Sequence, residues 1–259
     1  YPIFVLIQAG INEILIISTP NDLPSYKKLL GNGSNFGLKF YYAEQPNPDG
    51  LAQAFLIGEK FIGDDSVCLI LGDNIFYGHG FENLLKEAAN NVDSLKKATI
   101  FGYYVNDPER YGVAEFDKHG SVISIEEKPK SPKSNHAIVG LYFYPNSVIE
   151  ISKSIKPSER GELEITSVNQ KYLLHNELMI IMMGRGYAWF DTGTHDSISE
   201  ASEFIKVLEK RQGLKIACLE EISMKMGLIT DEKAFQLGEE LSNTEYGKYI
   251  MKIAKDKWK

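Results

Sequence analysis

The sequence has very little cysteine and no long apolar run. Only Cys68 and Cys218 occur in 259 residues, which excludes a disulfide framework and a cysteine-rich zinc site. No apolar stretch approaches the roughly 20 residues of a membrane helix. The chain begins at Tyr1 without an initiator Met and without the basic segment of a signal peptide. We therefore expect part of a longer, cytoplasmic protein that does not bind membranes.

Positive charge is also in short supply. The chain has 28 Lys and Arg against 35 Asp and Glu, a net charge of −7. This balance argues against a general nucleic-acid-binding protein and against binding to an anionic membrane surface. It does not exclude a small anionic substrate, because the charge of a binding site is local. The composition, 43% hydrophobic and 24% charged, is typical of one large globular domain or two small ones.

Several common catalytic signatures are missing as well. The sequence contains no Gly-x-Ser-x-Gly elbow, no Walker phosphate loop and no dinucleotide-binding glycine fingerprint. Its five histidines show no metal-ligand spacing. The chain therefore lacks the usual patterns of serine hydrolases, P-loop proteins and NAD-binding domains.

The first part of the chain shows an alternation of helices and apolar strands, which is typical of a parallel sheet with crossover helices. The patterns predict helices over residues 1–10, 22–30 and 51–61, and strands over residues 13–18, 38–43 and 67–71.

The alternation of helices and strands does not continue in the second part of the chain, where a hairpin turn over residues 117–120 indicates antiparallel pairing. Further elements are predicted there, namely strands over 98–105, 113–116, 121–126, 138–144, 178–183 and 187–190, helices over 81–90, 147–154, 164–175 and 195–212, and one or two helices in 214–259. We expect an α/β fold with a Rossmann-like mixed, mainly parallel sheet, flanking helices, an antiparallel part and a helical C-terminal tail.

The run of residues 67–71 ends at Gly72 and is followed at once by Asp73 and Asn74. Five apolar residues in a row favour a strand that is buried on both faces. Ligands of open α/β sheets lie beyond the carboxyl ends of the strands, and Mg²⁺ prefers one or two carboxylates together with substrate oxygens. Asp73 is therefore a candidate metal ligand. The alternative is that Gly-Asp-Asn is only a turn.

Asp191 has the same setting, because it directly follows the predicted strand 187–190. Two carboxylates on neighbouring strand ends could hold one divalent cation between them. The alternative role for Asp191 is an N-cap of the next helix, although Thr194 is the better-placed cap.

Two cationic side chains stand beside carboxylates. Lys128 ends the strand that carries Glu126 and Glu127, where a buried lysine forms either a structural ion pair or a phosphate contact. Arg160 precedes a helix predicted to begin near Glu162, which fits an anion site or a surface turn.

The loop of residues 45–50 lies at the end of another strand. Gln45 and the Gly50 backbone are placed where the edge of a base could be read. A lone glutamine carries little information by itself.

These pieces occur in one order along the chain, and that order resembles the glucose-1-phosphate thymidylyltransferases, a family of bacterial sugar nucleotidyltransferases that make dTDP-glucose. The segments that carry the resemblance are ILIISTP (14–20), QPNPDGLAQAF (45–55), LGDNIFYGHG (71–80), VNDPERYGVAEFD (105–117), EEKPKSPKSNHAIVGLYFY (126–144), RGELEIT (160–166) and GRGYAWFDTGTH (184–195). They favour the thymidylyl enzymes over the uridylyl, cytidylyl and adenylyl relatives.

The resemblance implies a role for each candidate residue in a Mg²⁺-dependent reaction of dTTP with glucose 1-phosphate. Asp73 and Asp191 would be the Mg²⁺ ligands, and Lys128 and Arg160 would hold the sugar phosphate. The remaining implied contacts are Gln45 and Gly50 to thymine, and Tyr111, Gly112, Glu127 and Ile138 to glucose.

The resemblance also implies a domain organisation. Residues 1–212 would form the nucleotidyltransferase domain, with a nucleotide-binding part at about 1–105 and a sugar-binding part at about 106–194. Residues 213–259 would form a helical segment that joins subunits into a homotetramer near a regulatory nucleotide site. The expected setting is the cytoplasm and the dTDP-rhamnose pathway of cell-surface polysaccharide.

One departure from the family pattern bears on activity. The family begins with a strand, a glycine-rich loop of the form G-G-x-G-T-R and a later lysine, and the resemblance starts after them at Tyr1-Pro2. We expect either a trimmed part of an intact enzyme or a fragment that binds sugar phosphate without turnover. The rival hypotheses are a non-catalytic sugar-nucleotide-binding or assembly subunit and a metal-dependent glycosyltransferase.

Overall fold

Strands and helices alternate through most of the chain in the computed structural model, which describes residues 1–256. The strands are β1 (Glu13–Ser18), β2 (Lys39–Glu44), β3 (Val67–Ile70), β4 (Asn74–Gly78), β5 (Ala98–Tyr104), β6 (Gly112–Phe116), β7 (Val122–Glu127), β8 (His136–Tyr144), β9 (Leu178–Met183) and β10 (Tyr187–Asp191). The helices are α1 (Pro2–Gln8), α2 (Leu23–Leu30), α3 (Gln53–Ile57), α4 (Glu59–Ile62), α5 (Phe81–Leu95), α6 (Val148–Ser154), α7 (Ile165–Leu174), α8 (His195–Gln212), α9 (Leu219–Lys225), α10 (Asp231–Glu240) and α11 (Glu245–Lys255).

The chain divides into two compact units. The first unit contains residues 1–16, 21–42 and 190–259, and the second contains residues 17–20 and 43–189. These units follow spatial contacts, whereas the division at residue 212 inferred from the sequence stays a prediction.

A six-stranded mixed sheet is the framework of the second unit. Its order is β7-β6-β8-β5-β9, and β3 pairs with the later half of β8. The predicted mixed α/β class is therefore confirmed.

The expected parallel majority is wrong for this sheet. Strands β3, β5 and β6 all run antiparallel to β8, β6 also runs antiparallel to β7, and the parallel pair is β5 with β9. The alternation of strands and helices does orient β3 and β5 alike, but the much later strand β8 lies between them. Sequence order did not reveal this insertion.

Strand β3 also differs from the prediction that it is buried on both faces. All four of its residues are only half-buried. Within the described residues it pairs with β8 alone, so one edge of β3 has no neighbouring strand to cover it.

The core of the second unit is dominated by aromatic side chains. Tyr144 stacks on Tyr142 and Tyr172, and the ring of Phe55 meets Tyr144 edge-on at 5.4 Å between centroids. The Tyr144 hydroxyl donates to the buried amide oxygen of Asn169, which satisfies a polar group that burial would otherwise penalise. The consecutive aromatic residues of β8 therefore belong to the core.

Two local predictions in the second unit need correction. The helix expected over residues 51–61 is divided at Gly58 into α3 and α4. Residues 74–78, expected to follow a turn, form the strand β4, which pairs with β10. The hairpin turn at residues 117–120 is confirmed, since β6 and β7 pair across it and Gly120 has a φ of 83°.

The first unit is mostly helical and contains residues 13–16 of β1 and 39–42 of β2, two strands that pair with each other. Helix α1 buries Val5, Leu6 and Ile7 and packs against α9. Three helices, α9 to α11, follow α8 where one or two were expected. Thr230 and Thr244 set the starts of α10 and α11, because their hydroxyls accept hydrogen bonds from backbone N–H groups of the first turn.

The start of α8 was predicted correctly. Thr194 is its N-cap, and its hydroxyl accepts a hydrogen bond from the backbone N–H of Ser197 in a reciprocal capping box. Across residues 1–256, no helix has the length and apolar character needed to cross a membrane.

Candidate functional site

Three predicted site residues lie side by side on neighbouring strands. Gly112 of β6 is in register with Glu127 of β7 and with Ile138 of β8. A Cβ atom at Gly112 would lie 3.4 Å from Oε2 of Glu127 and 3.8 Å from the Cβ atom of Ile138. The missing side chain therefore leaves only a small gap, called the recess below, with a carboxylate on one side and an apolar side chain on the other.

Thr166 fixes the Glu127 carboxylate beside that recess. Its hydroxyl donates to Oε2 of Glu127 at 2.5 Å, and Oγ1 would lie 3.2 Å from a Cβ atom at Gly112. Thr166 belongs to the first turn of α7 and is buried. Sequence reasoning missed it, because nothing along the chain links this helix to the end of β7.

Lys128 lies directly after Glu127 at the end of β7. It is exposed, which corrects the expectation of a buried lysine, and no salt bridge joins it to another residue of the described chain. Its backbone N–H donates to the carbonyl of Tyr111, and its φ is 44°. Left-handed backbone costs energy for a residue with a side chain, and such strain is concentrated at functional sites.

Arg160 is surrounded by carboxylates. Its Nη2 atom lies 2.8 Å from Glu164, 3.5 Å from Glu162 and 3.8 Å from Glu127. The hydrogen bond to Glu164 raises the pKa of the guanidinium above its usual value. Helix α7 begins at Ile165 with Glu164 as N-cap, not near Glu162, so a carboxylate stands at the helix start where an anion site was considered.

The loop of Gln45 and Gly50 is joined to the segment that carries Arg160. The side-chain amide of Gln45 donates to the Gly50 carbonyl at 3.2 Å. Leu163 exchanges backbone hydrogen bonds with Asp49 and Ala52, and a Cβ atom at Gly50 would lie 2.4 Å from the Leu163 carbonyl oxygen. The structure therefore brings the predicted base loop beside the predicted phosphate segment, and Gly50 (φ 105°) has to be glycine there.

Asp73 is exposed at the turn between β3 and β4, where the sequence predicted it. Its Oδ1 atom accepts a hydrogen bond from the amide of Asn74 at 2.8 Å. Asn74 is only 2% exposed, and its own Oδ1 accepts from the Gly140 backbone N–H and from the indole N–H of Trp189.

Trp189 extends this connection to the recess. Its ring meets Tyr111 edge-on at 5.0 Å between centroids and Tyr103 at 6.0 Å. Asn74 and Trp189 were not selected from the sequence. The only available signal was their place inside the segments 71–80 and 184–195, on which the resemblance rested.

Asp191 is the last residue of β10 and belongs to the first unit. Its carboxylate is half-buried and accepts the backbone N–H of Gly193, while Thr194 caps the helix. Its sharing of a cation with Asp73 stays a prediction. In residues 1–256 no group of three or more His, Cys, Asp or Glu side chains is placed to hold a metal ion.

The sequence of residues 1–207 matches the nucleotidyl transferase family. The chain is 51% identical over 255 residues to the glucose-1-phosphate thymidylyltransferase of Neisseria meningitidis, covering 98% of this chain and 88% of that protein. It is 49% identical over 253 residues to the enzyme of the same name from Mycolicibacterium smegmatis, covering 98% and 86%.

The folds agree with these sequence matches. A crystal structure described as a glucose-1-phosphate thymidylyltransferase from Bacillus anthracis in complex with sucrose superposes with a TM-score of 0.71, at 39% identity over 78% of this chain and 79% of that one. A UDP-glucose pyrophosphorylase complexed with UDP-glucose has a TM-score of 0.63 over 81% of this chain and 87% of its own, and at 22% identity it supports the fold alone.

Proposed function

Because the chain belongs to the nucleotidyl transferase family, and within it to the glucose-1-phosphate thymidylyltransferases, we propose that it transfers a thymidylyl group from dTTP to glucose 1-phosphate. The products are dTDP-glucose and pyrophosphate. The observation that carries the proposal is the row of Glu127, Gly112 and Ile138, with Lys128 and Arg160 beside it.

The side chains around Gly112 have the chemistry that a sugar ring requires. Glu127 offers a carboxylate that accepts hydrogen bonds from sugar hydroxyls, and Thr166 holds that carboxylate in place. Ile138 and the edge-on pair of Tyr111 and Trp189 supply apolar surface. A few placed polar groups on an apolar wall are typical of small-molecule pockets.

Lys128 and Arg160 would hold the phosphate of glucose 1-phosphate. Lys128 is an exposed ammonium group on a fixed strand end, so it acts as a point charge. Glu164 engages Nε and Nη2 of Arg160 and orients the guanidinium. The remaining donors of the guanidinium fork are the ones that a phosphate oxygen would take.

The reaction itself needs no general base. A sugar phosphate has a second pKa of about 6, so its oxygen is largely ionised at neutral pH and serves as the nucleophile. That oxygen forms a bond to the α-phosphorus of dTTP, while the bond to the bridging oxygen breaks and pyrophosphate leaves with the electron pair. The chain's contribution is to align two anions and to neutralise their repulsion.

Mg²⁺ is the cofactor that the carboxylates fit. An exposed Asp73 carboxylate oriented by Asn74 offers the hard oxygen that this ion prefers, and Asp191 is the second ligand in the same assignment. When bound, the ion would supply positive charge to the phosphate groups. Gln45 would read the edge of thymine from the loop that packs on Leu163, and Gly50 keeps that loop close.

The wider setting follows from the same family assignment. The helices after residue 213 would join subunits into a homotetramer near a regulatory nucleotide site. The protein would work in the cytoplasm, in the dTDP-rhamnose pathway.

The experiment is a turnover assay with dTTP, glucose 1-phosphate and Mg²⁺ on this chain and on an N-terminally extended chain that carries the glycine-rich loop, read by pyrophosphate release and by the mass of the product. We expect dTDP-glucose without any added acceptor, slower reaction with UTP, and no reaction with EDTA. Binding of dTDP-glucose without turnover by either chain would favour the non-catalytic subunit. A requirement for a sugar acceptor would favour a glycosyltransferase, and either result would overturn the proposal.

A further inference from the structure

The amide of Asn74 has a determined orientation. Its Oδ1 atom lies 3.0 Å from the backbone nitrogen of Gly140 and 2.7 Å from the indole nitrogen of Trp189. Both partners can only donate, so the atom between them has to be the oxygen. The NH₂ group of Asn74 therefore points to the Asp73 carboxylate, at 2.8 Å.

Gly140 makes this arrangement possible and rigid. A Cβ atom at residue 140 would lie 2.7 Å from Oδ1 of Asn74 and 2.7 Å from the Leu71 side chain. The carbonyl of Gly140 accepts the backbone N–H of Leu71 at 2.9 Å. Strand β8 thus holds the turn of residues 71–74 through both backbone polar groups of one residue.

Asn74 consequently lies between two parts of the proposed site. On one side is the exposed carboxylate of Asp73, and on the other is Trp189, whose ring contacts Tyr111 beside the sugar recess. A buried amide is costly unless its groups are paired. Here one N–H of the Asn74 amide donates to the carboxylate of Asp73, which is exposed and is not part of the core.

We propose that Asn74 is a positioning residue, which holds the Asp73 carboxylate in the orientation that binds a divalent ion and links that orientation to Trp189. This inference rests on the proposed function, because it takes Asp73 as a metal ligand. A side chain that hydrogen-bonds to a metal ligand and orients it typically changes the metal affinity by about 10- to 100-fold when it is removed.

The test compares Asn74→Ala with Asn91→Ala. Asn91 is a buried asparagine of α5 whose Nδ2 has no partner within the described residues, so it controls for the loss of a buried amide. The probe is Mn²⁺ added to the chain without nucleotide, with the dissociation constant measured by electron paramagnetic resonance. We expect about 10- to 100-fold weaker binding in Asn74→Ala and unchanged binding in Asn91→Ala.

A second readout uses the small number of tryptophans. The chain contains only Trp189 and Trp258, so a ¹⁵N spectrum of indole groups has two resonances, and Trp258→Phe assigns them. Mn²⁺ near Asp73 should broaden the Trp189 resonance in the parent chain. Trp189→Phe removes one hydrogen bond to Asn74 and should weaken Mn²⁺ binding by less than Asn74→Ala does, and it serves as the test if Asn74→Ala does not fold.

Turnover gives a third readout that a purely structural role would not produce. Excess Mg²⁺ should restore most of the kcat of Asn74→Ala, with little change in KM for glucose 1-phosphate. If Mn²⁺ does not bind the parent chain or leaves Trp189 sharp, the metal role of Asp73 is wrong and the inference falls with it. If the parent chain binds Mn²⁺ and Asn74→Ala or Trp189→Phe binds it equally well, only the positioning role is wrong.

Discussion

The end of β7 and the helices α9 to α11 each contain a glutamate held by a hydroxyl group. Thr166 donates to Glu127 in the first region, and Tyr246 donates to Glu220 at 2.6 Å in the second. Glu127 is half-buried beside Gly112, whereas Glu220 is buried and also lies 3.5 Å from the Cys218 thiol.

The two glutamates differ in exposure and not in the kind of hydrogen bond that holds them. A positive φ alone does not separate the regions, because Lys128 (φ 44°) and Ala217 before α9 (φ 57°) share it. The Glu127 region differs in having Arg160 surrounded by the carboxylates of Glu127, Glu162 and Glu164. In the C-terminal helices Cys218, Glu220 and Tyr246 pair with one another beside the small core of Cys218, Ala234 and Ile250. We therefore expect changes in the first region to alter turnover and changes in the second to alter stability.

The largest effect is expected for Asp73→Asn. Removing one charge from the proposed metal site should lower kcat by on the order of 1,000-fold, since metal charge stabilises such transition states by several kcal/mol. The melting temperature should stay within about 2 °C, because Asp73 is exposed. Steady-state kinetics and thermal unfolding measure both quantities. Asp64→Asn, an exposed aspartate before β3, is the control, and equal kcat values for the two variants would contradict the metal role.

Lys128→Gly should separate stability from activity. Glycine adopts a φ of 44° without strain, so the variant should be more stable by about 1 kcal/mol. Loss of the proposed phosphate contact should lower kcat/KM roughly 30-fold, because one charged hydrogen bond contributes about 2 kcal/mol.

The matched control is Lys96→Gly. Lys96 has a φ of 54° at the C-terminal end of α5 and is exposed. It should give the same gain in stability by urea unfolding without loss of kcat/KM. Full activity of Lys128→Gly would show that the ammonium group of Lys128 does not contact the phosphate.

Tyr246→Phe tests the other region. Removing the hydroxyl leaves the buried Glu220 carboxylate without its short hydrogen bond, which should lower the free energy of unfolding by about 2 kcal/mol. Urea unfolding followed by circular dichroism measures this loss, and kcat should stay within about twofold of the parent. Tyr26→Phe, on an exposed tyrosine, should change neither quantity. A large loss of kcat in Tyr246→Phe would erase the distinction between the two regions.

The sequence was sufficient to place residues at strand ends but not to show what surrounds them. An apolar run followed by Gly72 and Asp73 put Asp73 at the end of one strand, and the segment Glu126-Glu127-Lys128 put Lys128 at the end of another, and the structure agrees. The insertion of β8 between β3 and β5, the carboxylates around Arg160 and the amide of Asn74 between Gly140 and Trp189 depend on contacts between distant residues. Such contacts leave no local periodicity or turn signal.

The smallest expected effect is a loss of stability at alkaline pH that comes from the C-terminal helices. Burial raises the pKa of the Cys218 thiol to about 12, whereas an unfolded cysteine titrates near 8.5. Above that value the folded chain keeps a proton that the unfolded chain releases. The stabilisation is complete below about pH 8.5 and is lost as the pH rises toward 12.

Each pH unit between the pKa values of the unfolded and the folded thiol corresponds to about 1.4 kcal/mol of unfolding free energy. Titration of Cys218 should therefore lower the unfolding free energy by about 1 kcal/mol between pH 7.5 and pH 9.5. Cys218→Ala and Cys218→Ser both remove the titration, although they differ in packing and in the contact with Tyr246. Both should therefore flatten the dependence of the unfolding free energy on pH by the same amount, whatever their stability at pH 7.5. If the unfolding free energy of these variants depended on pH as steeply as that of the parent chain, the thiol would be accessible to solvent in the folded state. The core around Cys218 would then be less well packed than its burial indicates.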